Sequence, residues 1–586
     1  MSAVWHFFKK TQKADDSAQC QVCTRSIKNK GGNTSNLMQH LRRFHPTQYA
    51  AMTPPGKKAG ASRPTAMNDS SAVSSETQQP TLADQDLKKT VVCLEPRYNV
   101  PNKTTFSRNK TVKLYDATKE AVMRDLNSVD FFASTSDMWS SHGLTPYMGY
   151  TLHWIDLEWN LQCRNLGTKF VPENHTAEQL GKTMNDILTH WKLDAEKQIA
   201  ITTDNGTNIK KACKDIEWTN VPCFGHNLHL AITNTLNHIP RIGRALGICK
   251  KIVAAFGLSW KRRRDLTAAQ VQDEPGQKFK NLASMCPTRW GSTQHMVSRV
   301  LRNKKAIRRV LGNDKDTSHL VPKWEDLEVL ECINAALGPL KEFSDIMSAS
   351  QYVTISALKP ILHRLSTTEL APQADDLPLT REIKENVLRR LKACYVAHSL
   401  KLLMNVTCFL DPRCKTDFLA ADTYDDDVDE NELQPLDEVK EELLKNAIFL
   451  ELPVEDEDVL PVPVAKKAKL SLGALTSLKK SEKTSSSPAA SPSPAASPRS
   501  RLSKEIDRYI SAFPVIDGDD DPLQWWKLNA KELPLLCQLS RRYLAIQASS
   551  SPSERLFSKA GQVSTPAQAQ LKPEKVDKLV FLAENL

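Results

Sequence analysis

The chain has 586 residues, of which 40% are hydrophobic, and its 79 Lys and Arg against 68 Asp and Glu give a net charge of +11. This length allows two or three domains with proper hydrophobic cores. The 13 cysteines show no regular pairing, and there is neither an N-terminal apolar signal region nor a run of about 18 apolar residues. We therefore expect a reduced, soluble, intracellular protein and exclude secretion and membrane spanning.

Four residues with metal-ligating side chains stand in two close pairs near the N-terminus. Cys20 and Cys23 form a Cys-x2-Cys pair, and His40 and His45 follow after a gap of sixteen residues. Zn²⁺ in structural sites takes four tetrahedral nitrogen and sulfur ligands, and this spacing supplies them. We predict a zinc-binding domain over residues 1–50.

Aromatic residues and a short amphipathic helix complete the predicted finger. A chain below about 40 residues usually needs a metal or disulfides to fold. Trp5, Phe7 and Phe8 are expected to supply a small hydrophobic core beside the metal. Thr34 or Ser35 is expected to cap a helix after the Gly31-Gly32 break. The face that it turns towards the cysteines is expected to carry Leu37, His40, Leu41 and Phe44.

The opposite face of this helix is polar and is predicted to contact DNA. The predicted contact residues are Lys28, Lys30, Ser35, Asn36, Gln39, Arg42 and Arg43. Asn, Gln and Arg make bidentate contacts with base edges in the major groove. Residues 1–60 hold ten Lys and Arg against two Asp, and such a cationic module gains affinity for phosphate by releasing counterions. A zinc-bound finger that contacts protein is the alternative.

Two stretches that are poor in large apolar residues are predicted to be disordered linkers, residues 51–90 and 451–505. The acidic block at 421–442 is interpreted in the same way. The second linker carries a basic cluster, Lys466, Lys467 and Lys469, beside Ser-Pro pairs. This cluster is typical of a nuclear localisation signal, although inert solvated charge has the same pattern.

Residues 91–222 have a mixed pattern that predicts both strands and helices. The predicted strands are Phe131–Trp139, Tyr147–Asp156, Trp159–Phe170 and Gln198–Thr203, with a helix at Ala177–Leu193 before the last of them. Three strands, a helix and a fourth strand are the order of a ribonuclease-H-like α/β core. From 223 to 450 the pattern is almost wholly helical, which predicts a large all-α insertion.

Two acidic residues lie where predicted strands end. Asp137 belongs to the first strand and Asp204 follows the fourth. Sheet pairing would bring them together, and two carboxylates joined by a third hold two Mg²⁺ ions about 4 Å apart for phosphoryl transfer. The alternatives are structural: Asp204-Asn205-Gly206 is also a turn signal, and Asp137 would then bond backbone amides.

Several motifs together resemble BED zinc finger proteins and transposases of the hAT superfamily. The stretch from Val4 to His45, with Cys-x2-Cys, Asn-Thr-Ser-Asn-Leu and the two histidines, resembles the BED finger, a DNA-binding module. Five further motifs occur in the hAT order: Thr135-Ser-Asp-Met-Trp-Ser-Ser, Thr203-Asp-Asn-Gly-Thr-Asn, Cys223-Phe-Gly-His, Pro287-Thr-Arg-Trp and Ser549-Ser-Ser-Pro-Ser-Glu-Arg-Leu-Phe-Ser.

This resemblance implies site residues beyond the finger. Asp137, Asp204 and Glu554 match the acidic triad of the family, which uses Mg²⁺ if it is active. Trp290 matches the tryptophan that stacks at the DNA end. Cys223 and His226 match a Cys-x2-His pair near the active site. With His229 nearby, a second metal site is conceivable there, but the spacing is weak and we assign the pair to packing or DNA-side support.

The C-terminal residues 506–586 are expected, by the same resemblance, to form a hAT dimerisation region that completes the core. Apolar helical faces are predicted at 522–526, 533–546 and 576–586. These faces either meet a second copy of the chain or pack within the chain's own core, and both roles are compatible.

The predicted fold is therefore multidomain: a BED zinc finger, a ribonuclease-H-like core with an all-α insertion over 223–450, and C-terminal dimerisation helices. Three functions compete. The favoured one is a nuclear, zinc-dependent protein that binds double-stranded DNA as a dimer and regulates transcription or chromatin, with chromatin or transcription factors as partners. The second is an active transposase using Mg²⁺. The third, from the resemblance of the layout to BED-finger proteins linked to SUMO ligation, is a SUMO ligase or scaffold.

Overall fold

The computed structural model describes residues 3–10, 17–28, 34–45, 102–141, 144–273, 281–286, 289–349, 352–419, 434–450, 497–563 and 571–586. They belong to two compact units, Met1–Val100 and Pro101–Leu586, each of which is treated by itself. The predicted linker at 51–90, the basic cluster at 466–469 and Lys30 lie outside the described residues.

The N-terminal unit is a small antiparallel sheet with one helix. A 3-10 turn, Ala3–Phe7, precedes β1 (Phe8–Lys10), β2 (Ser17–Cys20) and β3 (Ser26–Lys28), which pair in the order β1-β2-β3, and helix α1 (Ser35–Phe44) follows. Six buried residues form its core: Val4, Phe8, Ala18, Cys20, Leu37 and Leu41. Trp5 and Phe7 pack against this core, as the aromatic residues were expected to do.

Two details of α1 differ from the prediction. Thr34 occupies the N-cap position but makes no side-chain cap hydrogen bond. Phe44 was expected on the buried face, yet it lies in the last turn of the helix and is 48% exposed. Its ring centroid is 5.2 Å from that of His40, so it borders the ligand cluster and is only half covered by it.

The second unit is built on one mixed five-stranded sheet. Its strands are β4 (Phe132–Ser140), β5 (Pro146–Ile155), β6 (Leu161–Phe170), β7 (Gln198–Thr203) and β8 (Asn220–Pro222). The order is β6-β5-β4-β7-β8. β4, β5 and β6 are antiparallel neighbours, whereas β7 runs parallel to β4 and β8 parallel to β7.

All four predicted strands are present. The first two are shifted by one residue at each end, the third begins two residues later than predicted, and the fourth has the predicted bounds. The third begins at Leu161 because Trp159 lies in the preceding turn with a φ of 65°. The fifth strand, β8, has only three residues, which is too short for a hydrophobic pattern to indicate it.

Helices precede, separate and follow the strands of this sheet along the chain. Lys103–Thr105 and a π-helical turn, Phe106–Lys110, lead into α2 (Thr111–Asn127), and α3 (Ala177–His190) and α4 (Thr207–Asp215) flank β7 in the chain. The last two helices, α19 (Ser551–Val563) and α20 (Pro573–Asn585), return to the sheet. Phe581 and Leu582 of α20 are buried in the same cluster as Phe132 and Tyr150.

The segment after β8 is helical, as predicted. Its helices are α5 (Phe224–His238), α6 (Pro240–Gly257), α7 (Trp260–Asp273), α8 (Trp290–Arg302), α9 (Lys304–Gly312), α10 (Trp324–Leu337), α11 (Leu340–Met347), α12 (Leu358–Arg364), α13 (Pro378–Lys392) and α14 (His398–Phe409). Short irregular turns are Ala195–Lys197, Ser318–Leu320, Leu365–Glu369, Ala393–Tyr395 and Asn446–Phe449.

Two helices begin inside segments predicted to be disordered. α15 (Pro435–Lys445) overlaps the acidic block at 421–442, and α16 (Pro498–Ala512) overlaps the linker predicted to reach 505. α16 forms because Leu502, Ile506 and Tyr509 recur at helical spacing and are all buried. Pro498 at N1 and the Ser497 hydroxyl, which accepts a hydrogen bond from the Ser500 amide, start it.

The C-terminal apolar faces pack within the chain's own core. They lie on α17 (Pro522–Asn529), α18 (Pro534–Leu544) and α20. Trp526 is fully buried, donates a hydrogen bond to the Leu410 carbonyl at 2.9 Å, and stacks on Tyr509. Among the described residues, no helix is long and apolar enough to cross a membrane.

Candidate functional sites

The predicted zinc ligands converge in the finger. One possible ligand atom from each of Cys20, Cys23, His40 and His45 lies within 4.8 Å of the others. Cys20 ends β2, and a tight turn brings Cys23 round, with the Thr24 amide donating to the Cys20 carbonyl at 2.9 Å. Thr24 closes this turn with a φ of 60°. His40 lies in the middle of α1, and His45 is its C-cap residue.

The donor set and its distances fit Zn²⁺. The Cys23 sulfur and His40 Nε2 are 3.2 Å apart, near the separation of about 3.5 Å that bond lengths of about 2.3 Å and 2.0 Å give in a tetrahedron. His45 Nε2 is buried without a hydrogen-bond partner among the described residues, a cost that a bound cation offsets. Two thiolates and two imidazoles favour zinc over hard cations such as Mg²⁺.

The other face of α1 carries the predicted base-contacting residues. Asn36, Gln39 and Arg42 are exposed, while Leu37 and Leu41 between them are fully buried. Ser35 lies in the first turn and Arg43 in the last turn of the helix, and Lys28 ends β3. The stripe formed by Asn36, Gln39 and Arg42 therefore faces away from the small core and towards solvent.

At one end of the central strands of the large sheet, here called the sheet edge, strand register brings two predicted acidic residues together. Thr135 of β4 pairs with Thr202 of the parallel strand β7. Asp137 and Asp204 each lie two residues further along, at the same end of adjacent strands. Asp204 also accepts a hydrogen bond from the Gly206 amide at 3.1 Å, and Asp137 accepts one from the Met138 amide at 2.8 Å. Both carboxylates thus bond backbone amides, as the structural alternative expected, and also lie at the same end of neighbouring strands.

Helix α19 brings Glu554 to the same edge. The Ser553 hydroxyl, next to Glu554, lies 2.8 Å from the Thr135 hydroxyl on β4. On β5, Gly149 pairs with Asp137, and a Cβ atom at position 149 would lie 2.9 Å from the Phe557 ring. The absence of a side chain at Gly149 therefore allows α19 to approach the sheet closely enough to deliver its carboxylate.

Cys223 fixes the loop that leads into α19. Its buried sulfur accepts a hydrogen bond from the Ser550 amide at 3.2 Å, and the Phe224 amide donates to the Ala548 carbonyl at 2.9 Å. Burial would raise the pKa of the Cys223 thiol, but hydrogen bonds from His226, Ser549 and Ser550 lower it. These contacts agree with the packing role expected for Cys223.

His226 is a cation among the carboxylates. Its Nδ1 lies 3.8 Å from a Glu554 carboxylate oxygen. Burial alone would lower the pKa of His226, but its hydrogen bond to Cys223 and the nearby negative charges of Cys223, Asp137 and Glu554 raise it to about 10. Burial raises the pKa of Asp137 to about 7; His226 opposes this rise, and Asp204 and Glu554 add to it. These five groups, Cys223, His226, Asp137, Asp204 and Glu554, form one electrostatic cluster.

Asp137, Asp204 and Glu554 supply the oxygen donors that Mg²⁺ prefers. Cys223, His226 and Glu554 also offer ligand atoms within 4.8 Å of one another. The sequence motif contained His226, but its position beside Glu554 follows only from the path of α19. An i, i+3 Cys/His pair at a helix start, directly after a buried strand, was the signal available for it.

Trp290 and His229 lie deeper in the helical region. Trp290 begins α8 and is only 7% exposed. Its amide donates a hydrogen bond to His229 Nδ1 at 3.2 Å. A stacking contact between the Trp290 ring and a DNA end would therefore require the ring to become exposed, and His229 supports α8 rather than joining the acidic cluster.

Comparison with known families gives matches in both units. The BED zinc finger family matches residues 2–46, the family described as ZBED1 RNase-like domain matches residues 135–221, and the hAT family C-terminal dimerisation region matches residues 505–586. The first match contains the four-ligand cluster, the second contains β5 to β7 and most of β4 and β8, and the third contains Glu554.

Three relatives illustrate the range of similarity. Human zinc finger BED domain-containing protein 4 is 23% identical, with 100% of this chain aligned to 52% of that protein. The putative AC transposase of Zea mays is 26% identical over 84% of this chain and 61% of that protein. The transposable element Hobo transposase of Drosophila melanogaster is 23% identical over 95% of this chain and 88% of that protein. The chain thus spans little more than half the length of the first of these relatives.

Proposed function

We propose that this chain, whose residues 2–46 match the BED zinc finger and whose residues 505–586 match the hAT dimerisation region, binds double-stranded DNA through its finger. It does so as a dimer in the nucleus, where it regulates transcription or chromatin together with other factors. The observation that carries this proposal is the geometry of α1, whose buried face turns His40 towards the other possible metal ligands while Asn36, Gln39 and Arg42 are exposed.

Zn²⁺ held by Cys20, Cys23, His40 and His45 would fix the angle between the knuckle and α1, as structural zinc does in small domains. The exposed stripe of α1 then enters the major groove as one rigid unit. The candidate base contacts are Ser35, Asn36, Gln39, Arg42 and Arg43, and Lys28 and Lys30 are the candidate phosphate contacts. Dimerisation through 505–586 would present two fingers to paired half-sites.

The test is selection of bound sequences from random duplex DNA by the full chain, with and without a chelator. A preferred sequence that disappears on chelation is expected. Gln39→Ala should then relax the preference at one base position by about 1–3 kcal/mol, with zinc content unchanged. The matched control is Gln434→Ala, at the exposed N-cap of α15, which should select the parent sequence. Selection of the same sequence by Gln39→Ala, or no preference in the parent, contradicts the proposal.

A second candidate function is Mg²⁺-dependent phosphoryl transfer. It is supported by Asp137 and Asp204, which lie at the same end of adjacent strands, and by the packing of α19, which carries Glu554, on that sheet. The strand order and the matched RNase-like domain support a ribonuclease-H-like core for residues 91–222, completed by residues from 506–586, with 223–450 inserted. Bound Mg²⁺ would activate a water and stabilise the leaving oxygen. Asp137, Asp204 and Glu554 are its candidate ligands. Because His226 lies beside Glu554, its side chain would have to move or lose its proton when Mg²⁺ binds.

Strand cleavage of duplex DNA with Mg²⁺ tests this second function. Asp204→Asn should abolish cleavage, while Asp130→Asn, an exposed carboxylate before β4, should leave it intact. DNA binding by the finger should survive both substitutions. Cleavage that persists in Asp204→Asn contradicts the assignment of the triad, whereas absence of cleavage in the parent chain supports a regulatory protein that retains the acids for structure.

A further inference from the structure

The helical region contains a second concentration of positive charge, far from the finger in sequence. Between Arg241 and Gly312 there are seventeen Lys and Arg and only three acidic residues. The resulting net charge of +14 exceeds the +11 of the whole chain, so the remaining residues are together acidic. A charge excess of this size within one segment of the sequence is costly through self-repulsion unless a partner uses it.

Helix α7 of this segment packs against both α6 and α9. Leu266 and Ala269 of α7 are buried in the same core cluster as Ile307 and Leu311 of α9. Gln270 hydrogen-bonds Asn303 at one end of this pair, and Arg262 binds Asp314 at 3.0 Å at the other. The two helices are therefore antiparallel, with their apolar stripes inward and their remaining faces in solvent.

Three acidic residues in or beside this segment are already engaged. Asp265 pairs with Arg264, Asp273 with Arg309, and Glu331 of α10 with Lys304. Six other exposed cations make no ion pair with any described residue: Lys250, Lys251, Lys261, Arg263, Lys305 and Arg308. Of these, Arg263 donates hydrogen bonds to carbonyls at the end of α6, so it also has a structural role.

Exposed apolar side chains lie at the turn between α6 and α7. Leu258 is 89% exposed and Trp260 is 70% exposed, with the Arg264 guanidinium 5.3 Å from the centroid of the Trp260 indole. An aromatic ring interleaved with unpaired cations is suited to contact sugars or bases beside phosphates. A face that served only for solubility would gain nothing from an exposed tryptophan.

We propose that the solvent faces of α6, α7 and α9 form a second nucleic-acid surface, which binds the phosphate backbone of duplex DNA without reading its sequence. This inference deepens the proposed DNA-binding function, but the surface lies in the second unit and does not depend on the metal. It holds the duplex electrostatically, while sequence preference comes from the finger.

The experiment measures binding of a random-sequence duplex by the full chain carrying Cys23→Ser, which removes a zinc ligand, across a range of salt concentrations. Residual binding with a strong salt dependence is expected. Five neutralising substitutions are then added: Lys250→Gln, Lys251→Gln, Lys261→Gln, Lys305→Gln and Arg308→Gln. Removing one cation from a phosphate should reduce the slope of log K against log salt by about 0.9. A total reduction of about 4–5 is therefore expected if all five cations contact phosphates, with at least about tenfold weaker binding at low salt.

The matched control neutralises five exposed lysines elsewhere in the second unit: Lys110, Lys113, Lys182, Lys392 and Lys531. This control carries the same net charge, so only a local surface distinguishes the two variants. The proposal is overturned if both variants lose affinity equally, or if neither does. It is also overturned if the two variants differ in their affinity for vesicles of anionic lipid but not in their affinity for DNA.

The two DNA proposals fail separately. If the parent chain selects no zinc-dependent sequence yet the salt slope responds to the five α6, α7 and α9 substitutions, the finger proposal falls and the surface stands. If sequence selection is intact and the slope is unchanged, the reverse holds.

Discussion

In the finger, six buried side chains and a four-ligand cluster hold a sheet and one helix together, whereas at the edge of the large sheet the charged cluster rests on an extensive core. The finger ligands come from a knuckle and a helix with little else to fix them. Asp137 and Asp204 are positioned by paired strands, and Glu554 by a helix packed on that sheet. We therefore expect an ion to be a structural requirement in the first cluster and at most a chemical addition in the second.

The largest expected effect is on the finger alone. Cys23→Ser should remove bound zinc and unfold α1, because structural zinc contributes about 10–16 kcal/mol in zinc-finger peptides. Sequence-specific DNA binding should weaken by more than about a hundredfold, which is equivalent to about 2.7 kcal/mol. Zinc content and DNA titration measure both losses.

The unfolding of the second unit should be unchanged in Cys23→Ser, since its core contains no finger residue. Cys286→Ser, at an exposed cysteine of the second unit, is the matched control and should retain zinc and DNA binding. A loss of stability in the second unit on zinc removal would break the comparison between the two clusters.

The core of the second unit should show the next largest effect, at Trp526. Trp526→Ala removes a fully buried indole and its hydrogen bond to the Leu410 carbonyl, and should lower the free energy of unfolding by about 3–5 kcal/mol. Urea unfolding of the full chain measures it. Trp324→Ala is the control, since Trp324 is largely exposed, and its effect should stay within about 0.5 kcal/mol. Equal effects would contradict burial of the C-terminal helices in the chain's own core.

Sequence reasoning reached the finger more fully than the sheet edge, for physical reasons. Ligand spacing alone located Cys20, Cys23, His40 and His45, because metal chemistry fixes both residue type and distance. Alternating hydrophobicity located four strands. The pairing of Thr135 with Thr202 is set by tertiary packing, and no local pattern encodes it.

Other features were missed because their signals are weak or spread out. The start of α16 at Pro498 was hidden by the Ser-Pro composition before it, although Leu502, Ile506 and Tyr509 follow at helical spacing. The cationic faces of α6, α7 and α9 went unnoticed since their charges alternate with core residues over some seventy positions. Counting charge along the helical segment would have found them.

The approach of α19 to the sheet can be tested at Gly149. Gly149→Ala places a methyl group 2.9 Å from Phe557, whose ring also stacks on Trp139, and overpacking of this kind costs about 1–3 kcal/mol. The free energy of unfolding measures the loss. Phe557→Leu in the same chain should restore part of it by making room.

A matched glycine is Gly243 in α6, where a Cβ atom would meet nothing within 4 Å. Gly243→Ala should be neutral or stabilise the helix by up to about 1 kcal/mol. If Gly149→Ala were equally neutral, the close contact between α19 and β5 would not be what positions Glu554, and the contrast with the metal-held finger would weaken.

The last expected effect is a pH dependence that belongs to the sheet and not to the finger. His153 on β5 is fully buried, with Nε2 3.1 Å from the Thr151 hydroxyl. Burial lowers the pKa of His153 to about 3, and Arg555 acts in the same direction. In the unfolded chain His153 therefore binds a proton below pH 6.5, whereas in the folded chain it stays neutral down to about pH 3. The contribution of His153 to the free energy of unfolding consequently falls as pH falls through that window.

The expected size is about 1.4 kcal/mol of unfolding free energy per pH unit within the window, for one proton. Urea unfolding of the second unit at pH 7, 6 and 5 should give a steeper decline for the parent than for His153→Gln, whatever the offset between them at pH 7. Because Asp137, with its raised pKa, titrates in the opposite sense in the same range, only the difference between the two chains isolates His153. Parallel lines would mean that β5 admits water or charge at this position, and that the sheet is less rigidly closed around its acidic edge than the packing of Thr151 and His153 indicates.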